Sequence, residues 1–233
     1  MNILITGANR GLGFELASEA LRRGHRVFAA ARTPQPGDKL DTLRQQYPDL
    51  LSVHAMDVVN EEQVGGVAAA LSAQGIQLHG VINNAGILLG RENPLEQLNM
   101  DDVRRTLEIN LYGPIIVVKH MLPLLPTDGS YGAILNISSE AGSLTNAYAG
   151  DYPYAISKTA LNMFSEQLKR YVEKRNIRVL SVHPGWIKTD MGGDKAPGDP
   201  RSSAAGILDL AEGAELAKSP FAFVDFMGKP MAI

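Results

Sequence analysis

The sequence predicts an α/β fold in which a doubly wound parallel sheet of about seven strands carries helices on both faces. Two features of the 233 residues favour this fold. Short, almost wholly apolar runs alternate with segments of helical period, which is typical of strands that crossover helices cover on both faces. A glycine-rich turn also joins the first strand to the first helix, and such sheets bind ligands at the carboxyl ends of their strands.

The elements follow from apolar pattern and from turn residues, taken in order along the chain. Strands are predicted where short runs are rich in apolar and β-branched residues, at Asn2–Thr6, Arg26–Ala31, Leu51–Ala55, Gly80–Asn83, Ala133–Ser138, Arg178–His183 and Phe221–Phe226. Helices are predicted where apolar residues recur every three or four positions, at Leu12–Arg23, Lys39–Gln46, Glu61–Ala73, Asp101–Leu125 and Tyr152–Lys174.

Proline and glycine refine this order. Gly24 ends the first helix, and Thr33–Gly37 is a turn. Pro114 predicts a kink or break within Asp101–Leu125, because proline has no N–H for the helix. Gly192–Ser203 is rich in glycine, proline and charge, so it is predicted to be a mobile surface loop. Since no repeat or composition shift marks a boundary, residues 1–233 are expected to form one domain.

Composition excludes several kinds of function. A net charge of -3 gives no basic footprint for nucleic acid or for an anionic membrane. The chain has no cysteine, which excludes disulfides and thiolate chemistry and fits a reducing compartment. Its five histidines show no metal-ligand spacing, so no metal site is expected. Ile3–Ile5 is too short for a signal peptide and Pro114–Pro126 too short to span a bilayer, so we expect a cytoplasmic protein.

The loop Thr6–Gly13, with the sequence TGANRGLG, follows the first strand directly. Glycines allow a tight turn and let the backbone approach a pyrophosphate without a Cβ in the way. The helix that follows directs its free N–H groups and the positive end of its dipole at that phosphate. The loop therefore predicts a dinucleotide site of the Rossmann type, and Asn83–Gly86 (NNAG) offers small residues for a ribose at the end of the fourth strand.

A second group of residues suggests proton transfer. Tyr154 and Lys158 are four residues apart on a predicted helix, so they project side by side. A tyrosine with a pKa near 10 is a weak base at neutral pH, and a nearby ammonium is expected to lower that pKa. A serine hydroxyl at the end of the fifth strand would hydrogen-bond the substrate oxygen. Tyr148 and Tyr152 are interpreted as cleft lining, and His183 as a packing residue at a strand end.

In this order, the motifs resemble the short-chain dehydrogenase/reductase family over nearly the whole chain. Thr6–Gly13 matches its glycine-rich loop, Asn83–Gly86 its strand-four motif, and Tyr154–Lys158 its catalytic YxxSK. Asn110 matches the asparagine that holds a water in the family's proton relay, and Pro184–Thr189 matches the PGxVxT segment that packs on the nicotinamide. Within the family, the short length and the ISSxxGS segment look most like small carbonyl reductases of the C-factor and sniffer type.

The resemblance implies a role for each matching residue. Tyr154 would be the general acid in reduction or the base in oxidation, and Lys158 would lower the pKa of Tyr154 and hold the hydroxyls of the nicotinamide ribose. Ser139 is the better match to the substrate-orienting serine, although its separation from the tyrosine is slightly longer than usual. That departure leaves Ser138 as an alternative and implies a small insertion near Asn146–Asp151, beside the substrate cleft.

The predicted dinucleotide contacts include the position that selects between the two nicotinamide cofactors. Sites that prefer NAD usually end their second strand with a carboxylate, whereas this strand ends with Ala31 followed by Arg32. Arg10 approaches the same place from the glycine loop, and two guanidiniums suit a 2′-phosphate, so NADP(H) is expected over NAD(H). The full predicted set is Gly7, Asn9, Arg10, Gly11, Leu12, Gly13, Arg32, Asp57, Val58, Asn83, Ala85, Gly86, Tyr154, Lys158, Pro184, Gly185, Ile187 and Thr189.

The expected function is hydride transfer between NADP(H) and a small-molecule carbonyl or alcohol. The alternative is a redox-sensing or signalling protein that binds the dinucleotide with little turnover. The resemblance implies a homodimer, since members of the family commonly pair the two long helices, here Asp101–Leu125 and Tyr152–Lys174, with those of a second copy. The apolar run Ile115–Val118, with Met121 and Leu122, exceeds one buried stripe and is compatible with such an interface, while a monomer or a tetramer stays open. The short segment Met191–Ala205 suggests an open cleft or a small substrate. The sequence names neither the physiological substrate nor the direction of the reaction.

Overall fold

The computed structural model of the protein describes residues 1–91 and 93–233. Its centre is a seven-stranded sheet in the order β3-β2-β1-β4-β5-β6-β7, with every neighbouring pair parallel. The strands are β1 Asn2–Thr6, β2 Arg26–Ala31, β3 Leu51–Ala55, β4 Gly80–Asn83, β5 Gly132–Ile137, β6 Ile177–His183 and β7 Phe223–Asp225. The order reverses between β1 and β4, which is where ligands bind in open α/β sheets.

Helices cover both faces of this sheet. They are α1 Gly11–Arg22, α2 Lys39–Gln46, α3 Glu61–Ala73, α4 Met100–Leu107, α5 Gly113–Met121, α6 Tyr152–Tyr171 and α7 Pro200–Ala211. The side chains of α1, α2 and α7 pack in one hydrophobic core, and those of α3, α5 and α6 pack in a second. The strands supply both cores alternately, since Ile3 and Ile5 face the first and Leu4 faces the second. This two-sided burial explains why the strands read as continuous apolar runs.

The break predicted at Pro114 is confirmed, and the long helix that follows β5 is shorter than predicted. Asp101–Leu125 is divided into α4, a π-helical turn at Glu108–Tyr112, α5 and a 3₁₀ turn at Leu122–Leu124. The break lies just before Pro114, at the start of α5, because proline has no N–H for the carbonyl of Asn110 four residues earlier. The helix predicted to end at Lys174 ends at Tyr171.

The predicted loop at Gly192–Ser203 is also corrected, because its last residues begin helix α7. Asp199 caps this helix by accepting a hydrogen bond from the backbone N–H of Arg201 at 3.1 Å, and Pro200 occupies its first turn. Aspartate followed by proline is a helix-start signal that the glycine and proline content of the segment obscured. In the part of the chain that the structure describes, no helix is long and apolar enough to cross a membrane.

Candidate active site

A cleft of about 1390 Å³ opens at the carboxyl ends of the central strands. This volume exceeds that of a pocket for one drug-sized ligand, so the cleft has room for a dinucleotide and a substrate together. Most of the predicted site residues line it: Gly7, Asn9, Arg10, Gly11, Leu12, Gly13, Arg32, Asp57, Val58, Ala85, Gly86, Ser139, Tyr154, Lys158, Pro184, Gly185, Ile187 and Thr189. Among the predicted catalytic and dinucleotide-binding residues, Asn83 and Asn110 lie outside this lining.

The glycine loop is packed so tightly that side chains would not fit. A Cβ on Gly13 would lie 2.2 Å from the carbonyl oxygen of Gly7, and a Cβ on Gly7 would lie 2.9 Å from the Cα of Ala85. Gly7 and Gly11 also have φ angles of 64° and 52°, which favour glycine. Helix α1 starts at Gly11, so the backbone N–H groups of its first turn face the cleft, where they suit a pyrophosphate.

Polar side chains hold the end of β4 against this loop. The hydroxyl oxygen of Thr6 accepts hydrogen bonds from the backbone N–H groups of Asn84 and Ala85, both at 3.0 Å. The side-chain amide of Asn84 donates to the carbonyls of Thr6 and Gly7 at 2.9 and 3.2 Å. Sequence reasoning gave neither side chain a role, although Thr6 precedes the loop and Asn84 lies within NNAG.

The side chain of Asn83, a predicted dinucleotide contact, lies inside the sheet, so only the backbone of this residue could meet a ligand. Its side chain is 3% exposed and donates a hydrogen bond to the side chain of Asn136 on β5 at 2.8 Å. Alternate residues of a strand face opposite sides, so the neighbouring Asn84 reaches the cleft and Asn83 does not.

Asp57 and Val58, which are predicted to contact the adenine, line the cleft after β3. The carboxylate of Asp57 also accepts a hydrogen bond from the backbone N–H of Val59 at 3.2 Å, so it orders the turn. Arg32 follows β2 and borders the same cleft. Arg10 pairs with Asp190 at 3.1 Å, and this ion pair joins the glycine loop to the segment after β6. The pairing with Asp190 was not predicted.

Tyr154 and Lys158 project from one side of α6 into the cleft. The ammonium nitrogen of Lys158 lies 5.3 Å from the centroid of the Tyr154 ring and donates a hydrogen bond to the carbonyl of Ile137 at 2.7 Å. Burial lowers the pKa of Lys158 to about 8. Burial raises the pKa of Tyr154, and a hydrogen bond with Ser139 opposes that change. The pKa of Tyr154 is therefore shifted in the direction opposite to the one that the sequence predicts from a nearby ammonium.

The two candidate serines have different surroundings. Ser138 is 1% exposed, and its hydroxyl donates to the side-chain oxygen of Asn162 at 2.7 Å within the packed interior. Ser139 borders the cleft, interacts with Tyr154, and accepts a hydrogen bond from the backbone N–H of Ala141 at 3.2 Å. The geometry favours Ser139 as the hydroxyl that meets a substrate.

Asn110 lies behind the cleft, in the π-helical turn between α4 and α5. Its side-chain oxygen accepts a hydrogen bond from the backbone N–H of Ile87 at 2.8 Å, and its amide donates to the carbonyl of Ile87 at 2.9 Å and to Ser157 at 3.1 Å. Its side chain thus positions the loop after β4 against α6. Its side chain does not line the cleft, and its part in a proton relay stays a prediction.

Several residues that line the cleft near Tyr154 had little or no role in the sequence-based prediction. Trp186 and Met191 lie at the exposed rim of the cleft, and Arg91, Tyr148 and Asp151 line its wall. Tyr148 lines the cleft as predicted. Tyr152 is outside the lining, and His183 lines the cleft while accepting a hydrogen bond from the backbone N–H of Glu140 at 3.2 Å.

Comparisons with known proteins agree with this site. A family model described as short chain dehydrogenase matches residues 1–199. The 1-hydroxy-2-glutathionyl-2-methyl-3-butene dehydrogenase of Rhodococcus sp. (strain AD45) is 31% identical over 212 residues, which are 88% of each chain. The chain spans only half the length of the rat estradiol 17-beta-dehydrogenase 2, to which it is 33% identical over 198 residues.

Among solved structures, carbonyl reductase Sniffer of D. melanogaster matches with a TM-score of 0.90 at 31% identity, covering 100% of this chain and 99% of that one. An NADPH-bound carbonyl reductase from chicken fatty liver matches with a TM-score of 0.88 at 30% identity, covering 100% and 98%. The fold and the site define an oxidoreductase that transfers hydride with a nicotinamide dinucleotide. The chain belongs to the short-chain dehydrogenase family.

Proposed function

We propose that the protein is an NADP(H)-dependent reductase or dehydrogenase that interconverts a carbonyl and an alcohol on a small molecule. The observation that carries this proposal is the group formed by Ser139, Tyr154 and Lys158 in the cleft that begins at the glycine loop. The relatives and the structures compared are named as dehydrogenases and carbonyl reductases, which supports the same reaction class.

The chain's own residues would supply the proton and the orientation. When bound, the dinucleotide supplies or accepts the hydride. Tyr154 holds its proton at neutral pH, because burial raises its pKa, so its hydroxyl is ready to protonate a carbonyl oxygen during reduction. Ser139 would hydrogen-bond that oxygen. Oxidation needs the phenolate as base. The rate of oxidation should therefore increase more than the rate of reduction as the pH rises.

The remaining predicted residues would bind the cofactor. Lys158 is close to the backbone of Gly86, where its ammonium suits the hydroxyls of a ribose. Pro184, Gly185, Ile187 and Thr189 line the cleft beside Tyr154 and would pack on the nicotinamide ring. Asn110 would act as a positioning residue through Ile87, since its side chain bonds both backbone groups of that residue.

The test is the decay of NADPH absorbance with a panel of aldehydes, ketones and quinones. We expect turnover in the wild type and a kcat at least ~100-fold lower in Tyr154→Phe, with NADPH binding retained, because that variant loses only the transferable proton. Turnover that survives in Tyr154→Phe would remove this residue from the mechanism. Binding without turnover of any compound would favour the redox-sensing alternative.

We propose a preference for NADP(H) over NAD(H). Ala31 leaves the end of β2 without a carboxylate, and Arg10 and Arg32 border the cleft there. Two structures similar to this one hold NADPH or NADP. Because each charge-assisted hydrogen bond is worth about 1.5–3 kcal/mol, kcat/KM should favour NADPH by about 100-fold. A double variant, Ala31→Asp with Arg32→Ala, should shift this ratio toward NADH, and equal use of both cofactors by the wild type would disprove the preference.

We propose that the protein forms a homodimer through the outer faces of α4, α5 and α6. Large apolar side chains are exposed along these helices and the π-helical turn between α4 and α5: Met100, Tyr112, Ile115, Ile156, Met163 and Tyr171. Helices α4 and α6 pack against each other, so both carry parts of one outer surface. Light scattering at micromolar concentration should give twice the mass of 25.1 kDa. A monomer mass would disprove the dimer.

We also propose that residues 1–233 act as one domain in the cytoplasm. Support for one domain comes from the continuous sheet and from solved structures that match the whole chain. A single cooperative unfolding transition, observed with both tryptophan fluorescence and far-ultraviolet circular dichroism, would agree with one domain. The lack of cysteine fits a reducing compartment, and cell fractionation tests that location.

A further inference from the structure

Three polar residues form a cluster on the wall of the cleft near Tyr154. Tyr148, Asp151 and Arg91 all line the cavity, and we refer to them as the Asp151 cluster. Asp151 and Tyr148 belong to the stretch between Ser139 and Tyr154 that is longer than is usual in this family. Asp151 is the N-cap residue of α6, three residues before Tyr154, and both residues line the cleft.

The backbone of Asp151 adopts a conformation that non-glycine residues rarely take. Its φ angle is 47°, and no other non-glycine residue in the described ranges 1–91 and 93–233 has a positive φ. The preceding Gly150 also has a positive φ, of 127°. Aspartate tolerates the left-handed region better than most residues, and strain of this kind concentrates at functional sites.

One carboxylate oxygen of Asp151 accepts a hydrogen bond, and the other accepts none from the described residues. Its Oδ2 accepts a hydrogen bond from the hydroxyl of Tyr148 at 2.8 Å. Its Oδ1 is buried and accepts no hydrogen bond from any residue that the structure describes. The closest cation is Arg91, whose Nε is 3.7 Å from this oxygen, too far for a hydrogen bond. Buried polar atoms nearly always have a hydrogen-bond partner, so we expect a bound ligand to donate a hydrogen bond to this oxygen.

Resting on the carbonyl–alcohol chemistry proposed above, we propose that Oδ1 of Asp151 binds a hydroxyl group that the substrate carries beside its reacting carbonyl. The preferred substrates are then hydroxy ketones, and the corresponding diols in the reverse direction. A neutral hydroxyl fits better than an ammonium because Arg91 already places a positive charge near the carboxylate. Tyr148 is a positioning residue, since it fixes the other carboxylate oxygen.

The experiment compares ketones that differ only by a hydroxyl in place of a methyl group. With NADPH, kcat/KM for 2-hydroxyacetophenone should exceed that for propiophenone by at least about tenfold, as expected for a hydrogen bond to a charged group. Hydroxyacetone and butanone form a smaller pair with the same difference. Asp151→Gly keeps the backbone conformation available, and it should bring both ratios close to one. Asp49→Gly, which removes an exposed carboxylate outside the cleft, should leave them unchanged.

Two further variants distinguish recognition of the substrate hydroxyl from an effect on the folding of the protein. Asp151→Asn tolerates the same backbone conformation and keeps one oxygen without the charge, so its ratio should lie between those of the wild type and Asp151→Gly. Tyr148→Phe should lower the ratio less than Asp151→Gly, because it frees the carboxylate without removing it. A wild-type ratio near one, or a ratio that Asp151→Gly leaves intact, would overturn the proposal.

Binding provides a readout that does not depend on turnover. Trp186 is the single tryptophan of the chain and lies on the rim of the cleft, so its fluorescence should respond to ligands there. Titrated in the presence of NADP⁺, 2-hydroxyacetophenone should bind about tenfold more tightly than propiophenone in the wild type and equally in Asp151→Gly. If no ketone were reduced, the proposed function would fail, and this titration would still decide whether Asp151 recognises the hydroxyl.

Discussion

Lys158 places an ammonium group inside the protein, with 5% of the residue exposed. Its Nζ donates a hydrogen bond to the carbonyl of Ile137, and burial lowers its pKa from 10.5 to about 8. Between these two pH values the unfolded chain binds a proton at this site that the folded chain does not. Stability therefore rises with pH across this window, and the gain is lost as the pH falls through about 8.

Replacement of this lysine should remove that pH dependence. We expect the free energy of unfolding of the wild type, relative to Lys158→Met, to rise by about 3 kcal/mol between pH 7 and pH 10.5. The variant has no group that titrates at this site, and other groups cancel in the difference. Urea unfolding of both proteins without dinucleotide gives the measurement. A difference that stays constant with pH would contradict the burial of a titrating ammonium.

Substitution of Ser138 should affect stability, whereas substitution of Ser139 should affect kcat. Ser138→Ala leaves the buried side chain of Asn162 without its donor, so it should cost about 1–3 kcal/mol of stability and keep most of kcat. Ser139→Ala should lower kcat by at least about tenfold with little change in stability, because its hydroxyl faces the cleft. Chemical denaturation and steady-state kinetics on both variants test this, and the reverse assignment would make Ser138 the catalytic serine.

At the scale of the elements, the sequence predicts the first half of the fold almost residue by residue. The bounds of β1, β2, α2, β3, α3 and β4 are those predicted, because strict apolar runs and clear turn residues delimit them. Helix α7 was missed because glycine and proline around its start resemble a loop. The π-helical turn at Glu108–Tyr112 was missed because its cause combines a proline with tertiary contacts of Asn110.

The candidate site was also predictable in part. Motifs with fixed spacing predict which residues line the cleft, but they do not show which face of a strand a side chain occupies, as with Asn83. Desolvation also has no signature in local sequence, so the direction of the Tyr154 pKa shift was not predictable from the neighbouring lysine. The pairing of Arg10 with Asp190 joins residues 180 positions apart, which only the assembled sheet brings together.

Glycines at two helices should respond oppositely to substitution by alanine. Gly13→Ala in α1 would place a Cβ 2.2 Å from the carbonyl oxygen of Gly7, so it should cost at least about 2 kcal/mol and weaken dinucleotide binding. Gly66→Ala in α3 meets no atom within 4 Å, so it should stabilise the protein by about 0.5–1 kcal/mol through helix propensity. Thermal denaturation distinguishes them, and equal effects would show that packing at the loop is looser than described.

At the scale of the whole molecule, one arginine joins helices from opposite ends of the chain. The guanidinium of Arg23 bonds Glu19 of α1 at 2.8 Å, Asp209 of α7 at 2.7 Å and Glu212 at 3.0 Å. Its side chain is 18% exposed, so water screens these contacts less than it screens a surface pair. These ion pairs connect the end of α1 to α7, the two helices that cover the first hydrophobic core.

Loss of this arginine should destabilise the fold more than loss of its neighbour. Arg23→Ala removes the guanidinium that three carboxylates share and leaves only Glu19 with an arginine partner, Arg22, so we expect a loss of about 2–3 kcal/mol. Arg22→Ala removes an exposed partner of Glu19 and should change stability little. The melting temperatures of the two variants provide the comparison. An Arg22→Ala variant that melts as early as Arg23→Ala would show that the link to α7 is not what matters.

The strand order has a consequence for how the chain folds as it leaves the ribosome. Ile3 of β1 pairs with Val27 of β2 on one side, and with Gly80 of β4 on the other. The β4 edge of the apolar strand β1 therefore stays open while more than fifty further residues are synthesised. Parallel pairing of this range is slow, and an open apolar edge invites association with other chains. Nascent chains should depend on chaperones until β4 is complete.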